Sequence, residues 1–188
     1  GQQRGLTLGG ALEHVQHLGD PAWKLTLNHL LNYNYHEEWD CPVAPEAYKR
    51  DTTLFGDQYS NFNAGKILLI LEGLAGIKYS LHDQTLTITD TMPKMWDMME
   101  VGIPLRGGQE NDTRWVKVRY DRADRGMETV KRITVSESPL EVTIHPWLEG
   151  GAASIPPQVA EGGKKTEEAP PGYLGYTFNP GQEASVTV

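Results

Sequence analysis

The residues best suited to chemistry are acidic side chains gathered in one segment, residues 36–59. Hydrolysis of a glycosidic bond needs two carboxyl groups, one acting as the acid and the other as the base or nucleophile. This segment could contribute to such chemistry. A solvated loop also commonly carries several acids, and the spacing alone favours that simpler interpretation. The acidic residues are Glu37, Glu38, Asp40, Glu46, Asp51 and Asp57.

Aromatic residues are interleaved with these acids and offer a second kind of chemistry. The flat rings of Trp39, Tyr48, Phe55 and Tyr59 could stack on the apolar faces of sugar rings. They could equally hold the segment against neighbouring helices, because large aromatic side chains gain much of their energy from burial. Trp39, Tyr48 and Tyr59 are therefore candidates for substrate binding, with a structural role as the simpler alternative.

Histidine and cysteine provide no comparable pattern. His14, His17, His29 and His36 are spread over two predicted helices, and the sequence contains no HExxH or CxxC motif. We therefore predict no metal site and no cofactor. The single cysteine, Cys41, cannot form a disulfide within the chain, so it is either a buried thiol or a bridge to another chain.

Composition narrows the class of protein. The chain has 188 residues, of which 38% are apolar, enough for one core or for two modest ones. Its net charge of −8 and its lack of a Lys/Arg cluster argue against a nucleic-acid partner. No apolar run reaches the roughly 20 residues that cross a bilayer. The start at Gly1 favours a processed protein, and the sequon Asn111-Asp112-Thr113 predicts glycosylation at Asn111. We expect an extracellular or lumenal location, an expectation that also depends on the family resemblance given below.

Helical periodicity dominates the first part of the chain. Apolar residues repeat every three or four positions in residues 8–18 and 21–35, which predicts two antiparallel helices joined by a Gly-Asp-Pro turn. Residues 64–77 are apolar on nearly all sides, which predicts a third helix buried in a helical layer. These helices would form a helical segment over residues 1–77.

From residue 78 onward the period changes from 3.6 to 2. Residues 79–81 and 86–88 predict a hairpin, and further alternating segments follow at intervals of roughly ten residues, typical of an antiparallel sandwich. We predict an antiparallel, sandwich-like β domain over residues 78–188, with the Pro- and Gly-rich residues 150–172 as a long excursion from it. The predicted fold class is α+β. The later alternating segments are 99–105, 116–120, 130–135, 140–144, 173–178 and 184–188.

Several short motifs carry a resemblance to a known family. They are Glu46-Ala47-Tyr48, Asp57-Gln58-Tyr59-Ser60, Asn63-Ala64-Gly65-Lys66, Glu72-Gly73-Leu74-Ala75-Gly76-Ile77, Leu86-Thr87-Ile88-Thr89 and Met92-Pro93. In this order they resemble the C-terminal part of six-hairpin, (α/α)6-toroid glycosidases. That group includes the family 63/65-like and rhamnosidase-like enzymes, whose toroids are commonly accompanied by a β-sandwich.

The resemblance implies roles for individual residues. Glu46 would be the general base that activates water in an inverting hydrolysis, with Glu37 or Glu38 as the fallback. Tyr48 and Tyr59 would line the sugar pocket. The predicted fold would then be the N-terminal helices of an incomplete (α/α) toroid followed by the β domain.

The chain departs from that family in length. A full toroid contains twelve helices and this chain supplies three, so the general acid would come from another polypeptide that also covers the helical face. The leading hypothesis is therefore the C-terminal segment of a glycoside hydrolase-like protein, and catalytic activity of the chain alone stays open. The alternatives are a non-catalytic structural or carbohydrate-binding subunit of an extracellular assembly, and a self-sufficient α+β binding domain.

Overall fold

The computed structural model describes residues 2–3, 45–48, 54–58, 67–92, 96–106, 113–125, 128–148 and 156–188. The chain divides into two units, residues 1–74 and residues 75–188, and each is described by itself.

The described part of the first unit is a small antiparallel sheet and a helical turn. The sheet has the order β1-β2-β3, formed by Gln2–Gln3, Pro45–Tyr48 and Leu54–Gln58. Residues 67 and 68 are helical and lead into a single π-helical stretch, Leu69–Leu74.

The second unit is built from two five-stranded sheets. The front sheet has the order β10-β13-β8-β7-β6, and the back sheet has the order β11-β12-β9-β5-β4. All pairings are antiparallel except that of β5 with β9, which is parallel. The strands are β4 Ile77–Ser80, β5 Thr85–Thr89, β6 Met98–Arg106, β7 Thr113–Arg125, β8 Glu128–Val135, β9 Glu141–His145, β10 Gln158–Val159, β11 Lys164–Thr166, β12 Gly175–Phe178 and β13 Ala184–Thr187.

Strict alternation along the strands builds the core between these sheets. On β7 the side chains of Val116, Val118 and Tyr120 are buried, and on β5 those of Leu86 and Ile88 are buried. Successive residues of a strand point to opposite faces, so each strand gives one apolar row to the interior and one row to the outside. Burial of these rows, at about 25 cal/mol per Å² of apolar surface, is the main favourable term in the fold.

Two polar contacts tie the unit together across its interior. The hydroxyl of Tyr120 donates a hydrogen bond to the carbonyl oxygen of Ala75. The ammonium group of Lys131 lies 3.2 Å from a carboxylate oxygen of Asp90, with side chains that are only 8% and 4% exposed. Buried charges of this kind are tolerated because each neutralises the other.

The predicted fold class, α+β with the helices of an incomplete toroid, is wrong. Strands account for 56% of the described residues and helix for 7%, and these strands form antiparallel or mixed sheets. Two of the predicted helices, residues 8–18 and 21–35, lie outside the described residues. The third, over residues 64–77, is described from residue 67, and its helical part ends at Leu74.

The apolar run that predicted the third helix belongs to two different structures. Ile67, Leu68 and Ile70 are 57%, 46% and 41% exposed, so this part is not the predicted buried helix. Ile77 instead begins a core strand. A short, uninterrupted run of apolar residues fits a buried helix and a buried strand equally well, so it does not show which of the two will form.

Gly76 makes the change from helix to strand possible. Its φ is +62°, and a Cβ atom at this position would overlap the carbonyl oxygen of Thr89. The Gly76 carbonyl in turn accepts a hydrogen bond from the Thr89 N–H at 2.8 Å. Only glycine combines this backbone conformation with so close an approach.

The strands predicted after residue 78 agree well with those observed. The predicted hairpin corresponds to β4 and β5, which pair Tyr79 with Leu86. The expectation of a purely antiparallel domain is wrong at one place, because β9 returns beside β5 in the parallel sense. Within the predicted excursion over residues 150–172, the described part contains β10 and β11, which form the edges of the two sheets.

Candidate functional site

The sequence-predicted site residues are only partly within the described chain. Glu46 and Tyr48 both lie on β2, in a strand rather than in the predicted loop. The remaining residues predicted to act in catalysis, binding or glycosylation fall outside the described residues. They are Glu37, Glu38, Trp39, Tyr59 and Asn111.

Glu46 lies at an irregularity in the β2–β3 pairing. Ala47 pairs with Phe55 and Pro45 pairs with Gln58, so the register shifts between these two pairs. The single residue Glu46 therefore lies opposite two residues on β3, Gly56 and Asp57. Bulges of this kind occur frequently beside active sites, where they redirect a side chain. The backbone thus brings two acidic positions of the same segment to adjacent strands.

The most distinctive exposed feature of the second unit is Trp115 on β7. Its neighbour in the chain, Val116, is fully buried, whereas the Trp115 side chain is 63% exposed. A large aromatic side chain directed into solvent gives up the burial energy that most tryptophans obtain. Trp115 lies on the outer face of the front sheet, where it pairs with Pro104 of β6.

The ring of Trp115 leans over Gly102, the next outward position on β6. A Cβ atom at Gly102 would lie 3.2 Å from Cε3 and 3.5 Å from Cζ3 of the ring. A Cβ atom alone would require the ring to move by a few tenths of an ångström, and a bulkier side chain would displace it further. The absence of a side chain at Gly102 therefore lets the indole lie against the backbone of β6 with its remaining surface in solvent.

Polar side chains occupy the neighbouring outward positions. Arg119 makes a bidentate contact with Asp121, with Nε at 2.9 and 3.0 Å from the two carboxylate oxygens and Nη2 at 2.8 Å from one of them. A carboxylate oxygen of Glu100 on β6 lies 3.9 Å from Nη1 of Arg119. The hydrogen bond and charge of Asp121 raise the pKa of Arg119, so this group stays charged at every accessible pH.

The strand register orders this outer face into rows. Gly102 pairs with Lys117, Glu100 pairs with Arg119, and Arg119 pairs in turn with Thr134 of β8. Beyond the end of β8, the Lys117 N–H donates to Ser136 Oγ at 2.9 Å, and the Ser136 N–H donates to the Lys117 carbonyl at 2.9 Å. We call the surface formed by Gly102, Trp115, Lys117, Arg119 and Ser136 the Trp115 face.

A second group of polar residues lies inside the unit formed by residues 75–188, and these residues stabilise the fold. Burial raises the pKa of Tyr120 well above its usual value, and the charge of Asp90 adds to that effect. The same two causes raise the pKa of Tyr173, whose hydroxyl lies 3.4 Å from the Asp90 carbonyl oxygen. Both phenols therefore stay neutral, which suits hydrogen-bond donors that hold the chain together.

His145 is a buried neutral histidine. Burial lowers its pKa, and the carbonyl of Glu168, 3.1 Å from Nε2, opposes that shift to a smaller extent. A carbonyl only accepts, so Nε2 carries the proton and Nδ1 is left as an acceptor. Nδ1 has no hydrogen-bond partner among the described residues. In the described part of the chain, no group of three or more His, Cys, Asp or Glu residues is placed to hold a metal ion.

Sequence reasoning missed the Trp115 face. The sequence predicts an alternating strand over residues 116–120, and the alternation that sends Val116 and Val118 inward also sends Trp115 to the outside. An apolar residue of this size at an outward position is the signal that could have identified it. The role of Gly102 depends on cross-strand register, which a single sequence does not reveal.

No protein-family model, curated protein or solved structure is significantly similar to this chain. The helical residues that the structure describes do not form a helix with the length and hydropathy needed to cross a bilayer.

Proposed function

We propose that residues 75–188 bind carbohydrate through the Trp115 face. The observation that carries this proposal is the exposed indole of Trp115 lying over Gly102 on the outer face of a regular sheet. A sugar ring presents a face of C–H groups that stacks well on an indole, and hydroxyl groups at its edge that need polar partners.

The surroundings of Trp115 favour a sugar over a protein partner. Protein interfaces surround their aromatic anchors with further buried apolar contacts. Around Trp115 the apolar neighbour is its cross-strand partner Pro104, and the other positions hold glycine, lysine, serine and the Arg119–Asp121 pair. These groups supply hydrogen-bond donors and acceptors at fixed places on a rigid strand surface, which suits a flat, hydroxyl-rich ligand.

Binding to a panel of soluble polysaccharides tests the proposal, with the full chain measured by affinity electrophoresis and isothermal titration calorimetry. Trp115→Ala should weaken binding by about tenfold or more, because truncation of a central aromatic anchor commonly costs more than 1 to 2 kcal/mol. Tyr79→Ala is the matched control, since Tyr79 is an exposed aromatic residue on the back sheet. Equal losses in the two variants, or no binding by the wild type, would contradict the proposal.

Glycoside hydrolysis is a second candidate function, and one observation favours it. The shifted register places Glu46 opposite Gly56 and Asp57, so two acidic positions meet at a bulge. In this candidate Glu46 takes a proton from water, and Asp57 is the nearest acidic position in the sheet that could serve as its partner.

Reducing-end release from the same polysaccharides tests hydrolysis. Glu46→Gln should lower kcat by about 100-fold or more, since removal of a general base typically costs 10²- to 10⁴-fold. Asp51→Asn serves as the control, because it removes another carboxyl group from the acidic segment over residues 36–59. A wild-type chain without activity, or a Glu46→Gln variant with full activity, would exclude this role for Glu46.

A further inference from the structure

The Trp115 face contains two cations, Lys117 and Arg119, on a chain of net charge −8. The described charged residues around it include Arg132, Glu100, Asp121 and the exposed Glu183. Arg119 is held by Glu100 and Asp121. Arg132 pairs with Asp121 in the register, and its Nε lies 3.3 Å from Ser185 Oγ.

Lys117, like Arg132, makes no ion pair with a carboxylate among the described residues, but Arg132 has Ser185 as a side-chain hydrogen-bond partner. The ion pairs on this face involve Arg119, and the hydrogen bonds of Lys117 run through its backbone N–H and carbonyl to Ser136. Its cross-strand neighbour on β6 is Gly102, which has no side chain. The Lys117 ammonium group is therefore without an ion-pair partner among the described residues, and its cross-strand neighbours, Gly102 and Ser136, are small.

Lys117 also lies close enough to Trp115 for one ligand to contact both side chains. Residues two apart on a strand share a face and are separated by about 7 Å. Trp115 and Lys117 have this spacing, and the indole leans over Gly102, the residue paired with Lys117. A sugar stacked on Trp115 thus presents a substituent of its own ring, or of the next ring, to the Lys117 ammonium group.

From these observations, and resting on the proposed carbohydrate binding, we infer that the ligand is an anionic glycan whose acidic group binds Lys117. The lysine ammonium group acts as a point charge, so it can form an ion pair with either a carboxylate or a sulfate. At physiological ionic strength, charges beyond about 8 Å are largely screened, so Lys117 acts on the ligand more strongly than the distant acids of the chain do. A nucleic acid is disfavoured, because its phosphate chain requires several uncompensated cations along its path.

Paired polymers that differ only in charge test this inference with the full chain. Calorimetry would compare polygalacturonate with its methyl ester, and dextran sulfate with dextran. An exposed ion pair changes affinity by about two- to fivefold, so at least one acidic polymer should bind that much more tightly than its neutral counterpart. The preferred pair identifies the acidic group as carboxylate or sulfate.

Two lysine variants test whether the charge of Lys117, and not stacking on Trp115, causes the preference for acidic polymers. Lys117→Gln should abolish the preference for the acidic polymer, so that the variant binds the acidic and the neutral polymer equally well. Lys164→Gln, which removes an exposed lysine from β11 of the back sheet, should leave the preference intact. Thermal unfolding of each variant verifies that the fold is retained.

The possible failures are distinguishable. If acidic and neutral polymers bind equally, or if Lys117→Gln keeps the preference, the inference of an anionic ligand is wrong. The proposed carbohydrate binding is still supported in that case if Trp115→Ala weakens the binding of both polymers. If Trp115→Ala changes neither affinity, the proposed function itself fails. Tighter binding of single-stranded oligothymidylate than of any acidic polysaccharide would also overturn the anionic glycan.

Discussion

The buried ion pair between Asp90 and Lys131 should be a major determinant of the stability of residues 75–188. Both side chains are nearly removed from water, at 4% and 8% exposure, and the ammonium nitrogen lies 3.2 Å from the carboxylate oxygen. Removing one partner leaves an uncompensated charge in the interior, which typically costs 3–5 kcal/mol. A domain is stable by only about 5–15 kcal/mol. Asp90→Leu and Lys131→Met should therefore each remove a large part of the unfolding free energy.

The double variant gives the decisive measurement. Replacing a whole buried ion pair with apolar residues of similar size is often neutral or stabilising. Asp90→Leu combined with Lys131→Met should thus be more stable than either single variant. The backbone contact at this place is kept, because the Asp90 N–H donates to the His145 carbonyl at 2.9 Å whatever its side chain.

Urea unfolding followed by circular dichroism measures these free energies from the transition midpoint and slope. Asp121→Asn is the control, since it breaks an ion pair whose side chains are 38% and 49% exposed, and its effect should be much smaller. Two results would refute the reasoning. One is a double variant whose loss equals the sum of the single losses, and the other is a loss below about 1 kcal/mol in both single variants.

Three further predictions follow from other contacts. Gly102→Val should push the Trp115 ring off the sheet and weaken polysaccharide binding with little loss of stability; unchanged affinity in calorimetry would contradict this. Because burial lowers the pKa of His145, stability should fall as the pH drops below about 6.5, where the unfolded histidine takes up a proton and the folded one does not. Urea midpoints at pH 5 and 7.5 should therefore differ less in His145→Gln than in the wild type, and equal differences would exclude this cause. Burial raises the pKa of Tyr120, so stability should fall above about pH 10, where the phenol of the unfolded chain ionises. Tyr120→Phe should lose about 1 kcal/mol of unfolding free energy at pH 8, but its urea midpoint should decline less steeply at alkaline pH. An unchanged alkaline decline would count against this role of Tyr120.

The β part of the fold was accessible to sequence reasoning because its strands bury one face each. Val116, Val118 and Tyr120 alternate with exposed residues, and so do Leu86 and Ile88, so period 2 is visible directly in the sequence. The parallel pairing of β5 with β9 was not accessible. Alternation fixes which face of a strand is buried, but it carries no information about which strand lies alongside.

The helical prediction at residues 64–77 failed for a related reason. Apolar residues that follow one another without polar interruption satisfy a buried helix and a buried strand equally well. Gly76 instead marks the entry into β4, through its positive φ and the hydrogen bond that its carbonyl accepts from the Thr89 N–H. The β2–β3 pairing was hidden because residues 36–59 lack any sustained period, although Glu46 was singled out for its chemistry.

The Trp115 face differs from the rest of the front sheet in what folding requires of it. The inward residues of β7 are fixed by the core, and a change at Val118 would leave a cavity. The outward residues are less constrained by folding, because a cross-strand aromatic contact such as that of Trp115 contributes only about 0.2–1 kcal/mol to a sheet. The indole over Gly102 helps to cover the edge strand β6, but this does not require the neighbouring Lys117, which has no ion-pair partner among the described residues. The proposed ligand, which stacks on the ring and carries negative charge, would use both side chains.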